Sequence, residues 1–407
     1  MTCRSWKTVR LGEHCTKIGS GATPRGGESV YQDSGVSFIR SQNVYNGQFA
    51  LDGLAHLDDE HADQLKGVTV ETGDVLLNIT GDSVARSCRV PDELLPARVN
   101  QHVAIIRPKP EEFDSRFVGY FFISPFMQDT MQSLAGSGGT RKALTKEMIE
   151  RFDVPQPPRP VQARIADILS AYDDLIENNR RRMALLEDAA RQLYREWFVR
   201  LRFPGHEHTR ITNGLPEGWA RVPVPDAIAI NPRTPLSDDD EHWWVEMADL
   251  PTNSMVIQNA VKRDGRSGSK FRNGDTLFAR ITPCLENGKT AFVNFMAENE
   301  VGRGSTEFIV LRSMSLTPEF VYCLARTYDF REHAIKSMIG ASGRQRVQES
   351  CFEKFLILVP SRSLLKLFSE SAGPVFEQIK ILHAQNQKLS AARDLLLPRL
   401  MNGEIAA

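Results

Sequence analysis

A chain of 407 residues, 41% hydrophobic and 25% charged, is sized for two or three domains with separate cores and has the composition of an ordinary folded protein. No apolar run approaches the roughly 18 residues of a membrane span, and the first residues (Met1-Thr2-Cys3-Arg4-Ser5-Trp6) hold no hydrophobic leader. Lys and Arg together number 50 against 51 for Asp and Glu, so the net charge of −1 lacks the basic surplus of a free-standing nucleic-acid binder.

The cysteines Cys3, Cys15, Cys88, Cys284, Cys323 and Cys351 are scattered and form no CxxC pair, which speaks against a disulfide framework and against a zinc site. A cytoplasmic protein with reduced thiols and no metal is expected.

From the N-terminus the chain shows short apolar runs such as Val103-Ala104-Ile105-Ile106, punctuated by Gly, Pro and Asn. That pattern predicts short strands joined by turns and long loops. A proline-rich joint, Pro155-Gln156-Pro157-Pro158-Arg159-Pro160, then leads into a long helix. Its seam is Ile165, Leu169, Tyr172, Ile176, Asn179, Met183, Leu186, Ala190, Leu193 and Trp197, spaced alternately by four and three. The stretch that follows repeats the first plan, with runs such as Phe308-Ile309-Val310-Leu311. A second helix closes the chain on Phe368, Ala372, Val375, Ile379, Leu382, Asn386, Leu389, Arg393, Leu396 and Leu400.

The chain is thus written twice. Gly73-Asp74-Val75-Leu76-Leu77-Asn78-Ile79-Thr80 recurs as Gly274-Asp275-Thr276-Leu277-Phe278-Ala279-Arg280-Ile281-Thr282, one residue longer. Gly136-Ser137-Gly138-Gly139 with Thr140-Arg141-Lys142 is echoed by Gly340-Ala341-Ser342-Gly343 with Arg344-Gln345-Arg346, and Val154-Pro155 by Val359-Pro360. Trp6 ahead of Leu11-Gly12-Glu13 matches Trp219 ahead of Val224-Pro225-Asp226. A lone heptad helix could pack on its own domain, but two copies at equivalent places, each with an Asn in the seam, predict that the helices pair as a coiled coil. A buried Asn costs stability and fixes register.

The tools of an enzyme acting on DNA are missing. Asn231-Pro232-Arg233-Thr234 falls short of an amino-methyltransferase motif and reads as a loop. Gly19-Ser20-Gly21 and the glycines from Gly136 complete neither GxGxxG nor a phosphate loop. Pro91-Asp92-Glu93 and Pro225-Asp226 lack a nuclease partner motif. His206 and His208 lie in a hydrophilic stretch, and Asp238-Asp239-Asp240-Glu241 reads as a solvated loop.

What remains is a kit of polar loop residues suited to duplex DNA, where Arg or Lys reads guanine, Asn or Gln reads adenine, and Ser or Thr holds phosphates. In the first copy these are Ser20, Thr23 and Arg25; Arg40, Ser41 and Asn43 (with Gln42); Asn100 and Gln101 (with His102); and Thr140, Arg141 and Lys142. The second copy offers Arg280, Thr282, Lys289, Arg303, Ser305, Thr306, Arg344 and Arg346 (with Gln345).

Two mixed regions, each followed by a heptad helix, resemble the target-recognition domains and spacers of type I restriction–modification specificity subunits. Arg195-Glu196-Trp197-Phe198-Val199-Arg200-Leu201-Arg202-Phe203-Pro204-Gly205 is similar to that family's motif after its central conserved region. Leu395-Leu396-Leu397-Pro398-Arg399-Leu400-Met401-Asn402-Gly403-Glu404-Ile405 is similar to its ending, and Asn287-Gly288-Lys289 with Gly304-Ser305-Thr306-Glu307-Phe308 to a common recognition-domain pattern.

The resemblance implies an α+β fold: two mixed α/β target-recognition domains separated by two long helices in an antiparallel coiled coil, with an internal pseudo-twofold repeat. The expected segments are 1–155, a first recognition domain; 156–205, a central helix; 206–360, a second recognition domain; and 361–407, a C-terminal helix. It also implies no catalysis and no cofactor in this chain. S-adenosylmethionine would be on two methyltransferase subunits docked to the helices, a restriction/translocase subunit could join, and the ligand would be double-stranded DNA with an asymmetric bipartite target. About 36 helical residues at 1.5 Å each span roughly 54 Å, enough for half-sites a helical turn of about 34–36 Å apart. The competing readings are a self-contained enzyme, a coiled-coil adaptor that binds only protein, and an orphan DNA-binding subunit.

Overall fold

The computed structural model describes residues 6–136, 142–236, 241–265, 267–341 and 343–406. Ser137–Arg141, Ser237–Asp240, Arg266 and Ser342 lie outside them, and with them Thr140, Arg141 and most of the acidic run. The chain divides into two compact units, Met1–Ile176 with Lys388–Ala407, and Glu177–Gln387.

The first unit carries strands β1 (Thr8–Arg10), β2 (Cys15–Ser20), β3 (Val36–Ile39), β4 (Val44–Tyr45), β5 (Gln48–Phe49) and β6 (Ala55–Leu57), then helix α1 (Asp59–Gln64). It continues with β7 (Thr69–Val70), β8 (Val75–Asn78), β9 (Ser87–Arg89), β10 (Ala97–Val99) and β11 (Val103–Pro108). Helices α2 (Ser115–Ile123), α3 (Pro125–Gly136) and α4 (Lys146–Glu150) and strand β12 (Asp153–Pro155) lead to the long helix α5 (Arg159–Tyr194). One sheet is ordered β2-β11-β8-β9 and a second β6-β3-β10-β7, while β1 pairs with β12. Within the second sheet β3 and β10 run parallel.

The second unit adds β13 (Ile211–Thr212), β14 (Leu215–Pro216), β15 (Ala220–Pro223), β16 (Ile228–Ile230), β17 (His242–Val245), β18 (Val261–Arg263) and β19 (Ser269–Arg272). Then come β20 (Thr276–Ala279), β21 (Thr290–Phe292), β22 (Val301–Gly304), β23 (Phe308–Ser313), α6 (Pro318–Ala325), α7 (Tyr328–Lys336), β24 (Leu356–Val359) and the closing helix α8 (Arg362–Met401). Its sheets repeat the first unit's plan: β16-β23-β20-β21, β18-β17-β22-β19 with β17 and β22 parallel, and the pair β15–β24.

Hydrogen-bond patterns set the true correspondence of the copies. Ile79 N–H donates to the His102 carbonyl and Arg280 N–H to that of Glu307, so Ile79 matches Arg280 with no inserted residue. Leu11 N–H donates to Phe152 and Val224 N–H to Phe355. The equivalent of Val154-Pro155 is therefore Ile357-Leu358 rather than Val359-Pro360. Gly81 and Thr282 donate to the carbonyls of Lys142 and Gln345, which moves the match of that loop by one residue as well. Sequence identity slid along these segments because apolar strands and polar loops tolerate many local alignments, whereas ladder bonds allow one.

The repeated Gly-Asp is structural. Gly73 and Gly274 take left-handed φ of 86° and 89°, and the following aspartates turn inward. Asp74, fully buried, receives Arg107 Nε at 2.7 Å and Nη2 at 2.8 Å, and the Glu71 N–H at 2.7 Å. Asp275 receives Arg312 Nε at 2.7 Å and Nη2 at 2.6 Å, and the Arg272 N–H at 2.8 Å. Such a fork is favourable only while every lone pair is used.

Each unit's core takes in segments of both long helices, running antiparallel. In the first, Ile165, Ala166 and Leu169 of α5 share a cluster with Leu397, Leu400 and Met401 of α8, and Arg393 Nη1 donates to Asp173 at 2.5 Å. In the second, Ala190, Tyr194, Trp197 and Phe198 pack with Phe368, Ala372, Phe376 and Ile379. The two seam asparagines meet: Asn179 Nδ2 donates to Asn386 Oδ1 at 2.9 Å, both side chains being buried.

Ile176 and Leu382 are also buried. Met183, Leu186 and Leu193 are half-buried against the second core and Leu396 against the first, while Tyr172 and Leu389 are half-buried. Two seam positions shift by one: Phe376 and Leu397 are the buried residues where the heptad points to Val375 and Leu396. There the helix packs against a domain core as well as a partner helix, and a wider apolar stripe is in contact.

Asp74→Ala, which removes the buried half of the fork and leaves Arg107 with Glu71 and the Thr69 carbonyl, is expected to cost about 1–3 kcal/mol, read as a lower denaturant midpoint. Asn179→Ala should cost about 1–3 kcal/mol by removing the partner of a buried amide. The double variant Asn179→Leu with Asn386→Leu should regain that loss or more, since matched leucines leave no polar group unpaired.

Candidate nucleic-acid interface

In the first unit the polar loops gather at one end of the β2-β11-β8-β9 sheet. The chain leaves β2 through Gly21, whose N–H donates to Val103 and is followed by Ala22 N–H to Val99. A Cβ at Gly21 would stand 2.0 Å from the Val99 carbonyl oxygen, so only glycine admits this approach. The turn delivers Thr23, whose hydroxyl donates to Gln101 Oε1. Gln101 Nε2 lies 3.1 Å from His102 Nε2, and His102 Nδ1 lies 2.7 Å from Thr80 Oγ1. With the amide donating to Nε2, the neutral ring keeps its proton on Nδ1 for Thr80. Ser20, Thr23, Arg25, Gln101 and Lys142 are exposed on these connections.

Two candidates leave this surface. Asn43 is fully buried: its Oδ1 accepts the Arg40 N–H at 2.9 Å and its Nδ2 donates to the Ala50 carbonyl at 2.9 Å. It locks the loop after β3 and cannot read a base. Asn100 is also buried, and its Oδ1 accepts the His102 N–H at 3.1 Å, shaping the turn that presents Gln101. Arg40 and Ser41 are half-buried. Arg40 donates to the Gly53 carbonyl at 2.7 Å and lies over the Tyr31 ring at 5.1 Å, and the Ser41 carbonyl accepts Asn78 Nδ2 at 2.8 Å.

The second unit builds the same end from different chemistry. Ser305 stands for Asn100, its hydroxyl accepting the Glu307 N–H at 3.2 Å, and Glu307 stands for His102. Arg346 closes on Glu307 with Nε at 2.9 Å and Nη2 at 2.6 Å, and that carboxylate holds its proton above the usual arginine value. Arg280 reaches Glu349 at 3.0 Å and the Val347 carbonyl at 3.1 Å. Thr282, buried, accepts the Gln345 N–H at 3.0 Å, and Lys289 Nζ donates to Met247 at 2.7 Å. Arg303 is half-buried, while Thr306 and Arg344 are exposed.

Several positions escaped sequence reasoning. Arg86, over the Tyr45 ring at 4.8 Å, is the equivalent of Lys289, because Asn78 and Ala279 N–H donate to their two carbonyls. Asn231 replaces Gly19, because Gly19 pairs with Ile105, the counterpart of Val310: the Asn231 N–H donates to Val310 and its Oδ1 accepts the Val310 N–H, both at 2.8 Å. The loop Asn231–Thr234, set aside as a failed catalytic motif, is therefore the counterpart of Gly19–Thr23, one residue shorter. Its signal was the Thr234-Pro235 dipeptide matching Thr23-Pro24.

Among the described residues no group of three His, Cys, Asp or Glu is arranged to hold a metal ion, and no helix is long and apolar enough to cross a membrane.

Residues 4–188 match the family model of the type I restriction modification DNA specificity domain. The chain is 25% identical over 332 residues to the type I restriction enzyme MjaIX specificity subunit of Methanocaldococcus jannaschii, covering 76% of this chain and 73% of that one. It is 22% identical to the HindI specificity subunit of Haemophilus influenzae over 98% of this chain and 99% of that one. In fold it is similar to the crystal structure of a type I restriction-modification S subunit from M. genitalium, with a TM-score of 0.58 at 13% identity, covering 97% and 96% of the two chains.

Residues 4–188 thus carry the type I restriction modification DNA specificity domain, and the relatives support an HsdS-like subunit. Its class is a non-catalytic one.

Gly21→Ala is expected to push the Thr23–Arg25 loop off the β10 carbonyls. If each unit reads one half-site, loss of one or two contacts of this loop, at about 1–3 kcal/mol each, should weaken binding to the first unit's half-site tenfold or more. Discrimination at the other half-site should be retained, as read by competition binding with duplexes altered in one half.

Proposed function

We infer that each unit reads one half of an asymmetric, bipartite double-stranded DNA target, and that the chain works in association with the other subunits of its system. The observation that carries this reading is one scaffold with two reading ends. The sheet order and turn geometry are repeated, but His102 is exchanged for Glu307, Gly19 for Asn231 and Arg40 for Glu246 at matched positions. A repeated scaffold presents two sites, and unlike side chains give them unlike sequences.

The helix pair sets the spacing between half-sites and docks two methyltransferase subunits, which bind S-adenosylmethionine and modify adenine. This chain holds no cofactor of its own. The exposed Leu175 and Leu185 on α5, with Ile381 and Leu395 on α8, support helix faces that take a partner. A restriction/translocase subunit joins the complex to act on unmodified DNA, in the cytoplasm. The near-neutral charge of this chain fits partners that add cationic surface around the duplex.

The test is to supply the methyltransferase subunit with and without this chain and to map adenine methylation genome-wide. One asymmetric bipartite motif, methylated only when this chain is present, is the expected result. Methylation that is unchanged without it would sink the assignment.

A further inference from the structure

A cavity of about 490 Å³ in the second unit lies between the loop Asn231–Pro235 and the start of β19 at Gly268–Lys270. The loop is pinned on both sides of Arg233. Asn231 is bonded through backbone and side chain to Val310. Thr234, buried, accepts Arg312 Nη2 at 3.1 Å, and that guanidinium is itself held by Asp275. Arg233 is left exposed on a fixed loop. Across the cavity, Gly268 has φ of 106°, and a Cβ there would stand 2.2 Å from the Gly304 carbonyl oxygen. The backbone thus hugs β22, and Ser269 and Lys270 line the cavity. Among the described residues no carboxylate lies within ion-pair distance of Arg233, Lys270 or Arg303.

Arg303 adds the second observation. It is the antiparallel register partner of Lys270, so the two side chains leave the same face of the sheet about 4.5–5.5 Å apart at Cβ. Its Nε and Nη1 are enclosed with no hydrogen-bond partner. The equivalent residue of the first unit, Arg98, is satisfied: Nε donates to the Ala62 carbonyl of α1 at 3.0 Å and Nη1 to Ala97 at 3.1 Å. Helix α1 enters between β6 and β7, whereas only residues 264–268 separate β18 from β19, too few for such a helix. Lys270 itself replaces Thr69. The second unit has lost the helix acceptor and gained a cation at the same place. An enclosed, uncompensated guanidinium raises the potential at the cavity and favours an anion there.

We propose that this cavity binds a phosphate of the DNA backbone, with Arg233 and Lys270 as its contact groups and Arg303 as a fixed charge behind them. It rests on the assignment of the second unit as a DNA reader and gives that unit an anchor the first unit lacks. The groups carry no sequence information, because every nucleotide offers the same phosphate.

The full chain with its methyltransferase subunit is titrated against its target duplex over a range of salt, as wild type, R233Q, K270Q and K270R. Each lost phosphate contact should lower the slope of log K against log salt by about 0.9. R233Q and K270Q should each show that drop, K270R should keep the wild-type slope, and discrimination against an altered second half-site should stay constant. A neutral methylphosphonate replacing one phosphate beside that half-site should weaken the wild type and leave R233Q unaffected. Coincident slopes for all four proteins, with unchanged unfolding curves, overturn the proposal, as would a loss of base discrimination at constant slope. A wild-type complex with no sequence-specific binding would instead overturn the DNA-reading assignment itself.

Discussion

Neither unit can close its core with residues that are near in sequence. The first needs Leu397, Leu400 and Met401 from the far end of the chain, and the second draws Ala190 to Phe198 from a helix that began among the residues of the first. Packing of the two long helices is therefore the constraint on which the rest depends. Antiparallel pairing gives each unit one segment from each helix. The buried amide pair Asn179–Asn386 then selects a register, because sliding the helices by a heptad would break the bond between the two buried amides.

On this frame the two units use the same internal clamp. The Asp74–Arg107 and Asp275–Arg312 forks tie the turn before one sheet strand to its neighbour, and in the second unit the fork also grips Thr234 in the loop after β16. Fixed turns matter because side chains that discriminate hydrogen-bond patterns lose selectivity when their backbone can drift. The Thr23–Gln101–His102–Thr80 chain extends that rigidity to the surface of the first unit.

The units diverge where the clamp ends. One covers a sheet face with α1 and satisfies Arg98 from a helix carbonyl. The other omits the helix and leaves Arg303 beside Lys270. One sheet end centres on the His102 imidazole and the other on an Arg346–Glu307 pair. Duplication preserved the parts that must pack and released the parts that only meet solvent or ligand, so a repeated fold presents unlike surfaces.

The heptad spacing, the paired asparagines and the repeated Gly-Asp were legible in the sequence because each obeys a local rule: helical periodicity, the cost of a buried amide, or a left-handed turn. They determined the duplicated plan and the helix pair. The buried state of Asn43, the role of Asn100 in its turn, the one-residue shifts of Phe376 and Leu397, and the placing of Asn231 opposite Gly19 came only from tertiary structure. Whether a polar side chain in a loop faces inward or outward depends on hydrogen-bond partners far away in sequence. Asn43 and Gln101 are both amides beside apolar runs, and only the fold separates the one that locks a loop from the one that is exposed.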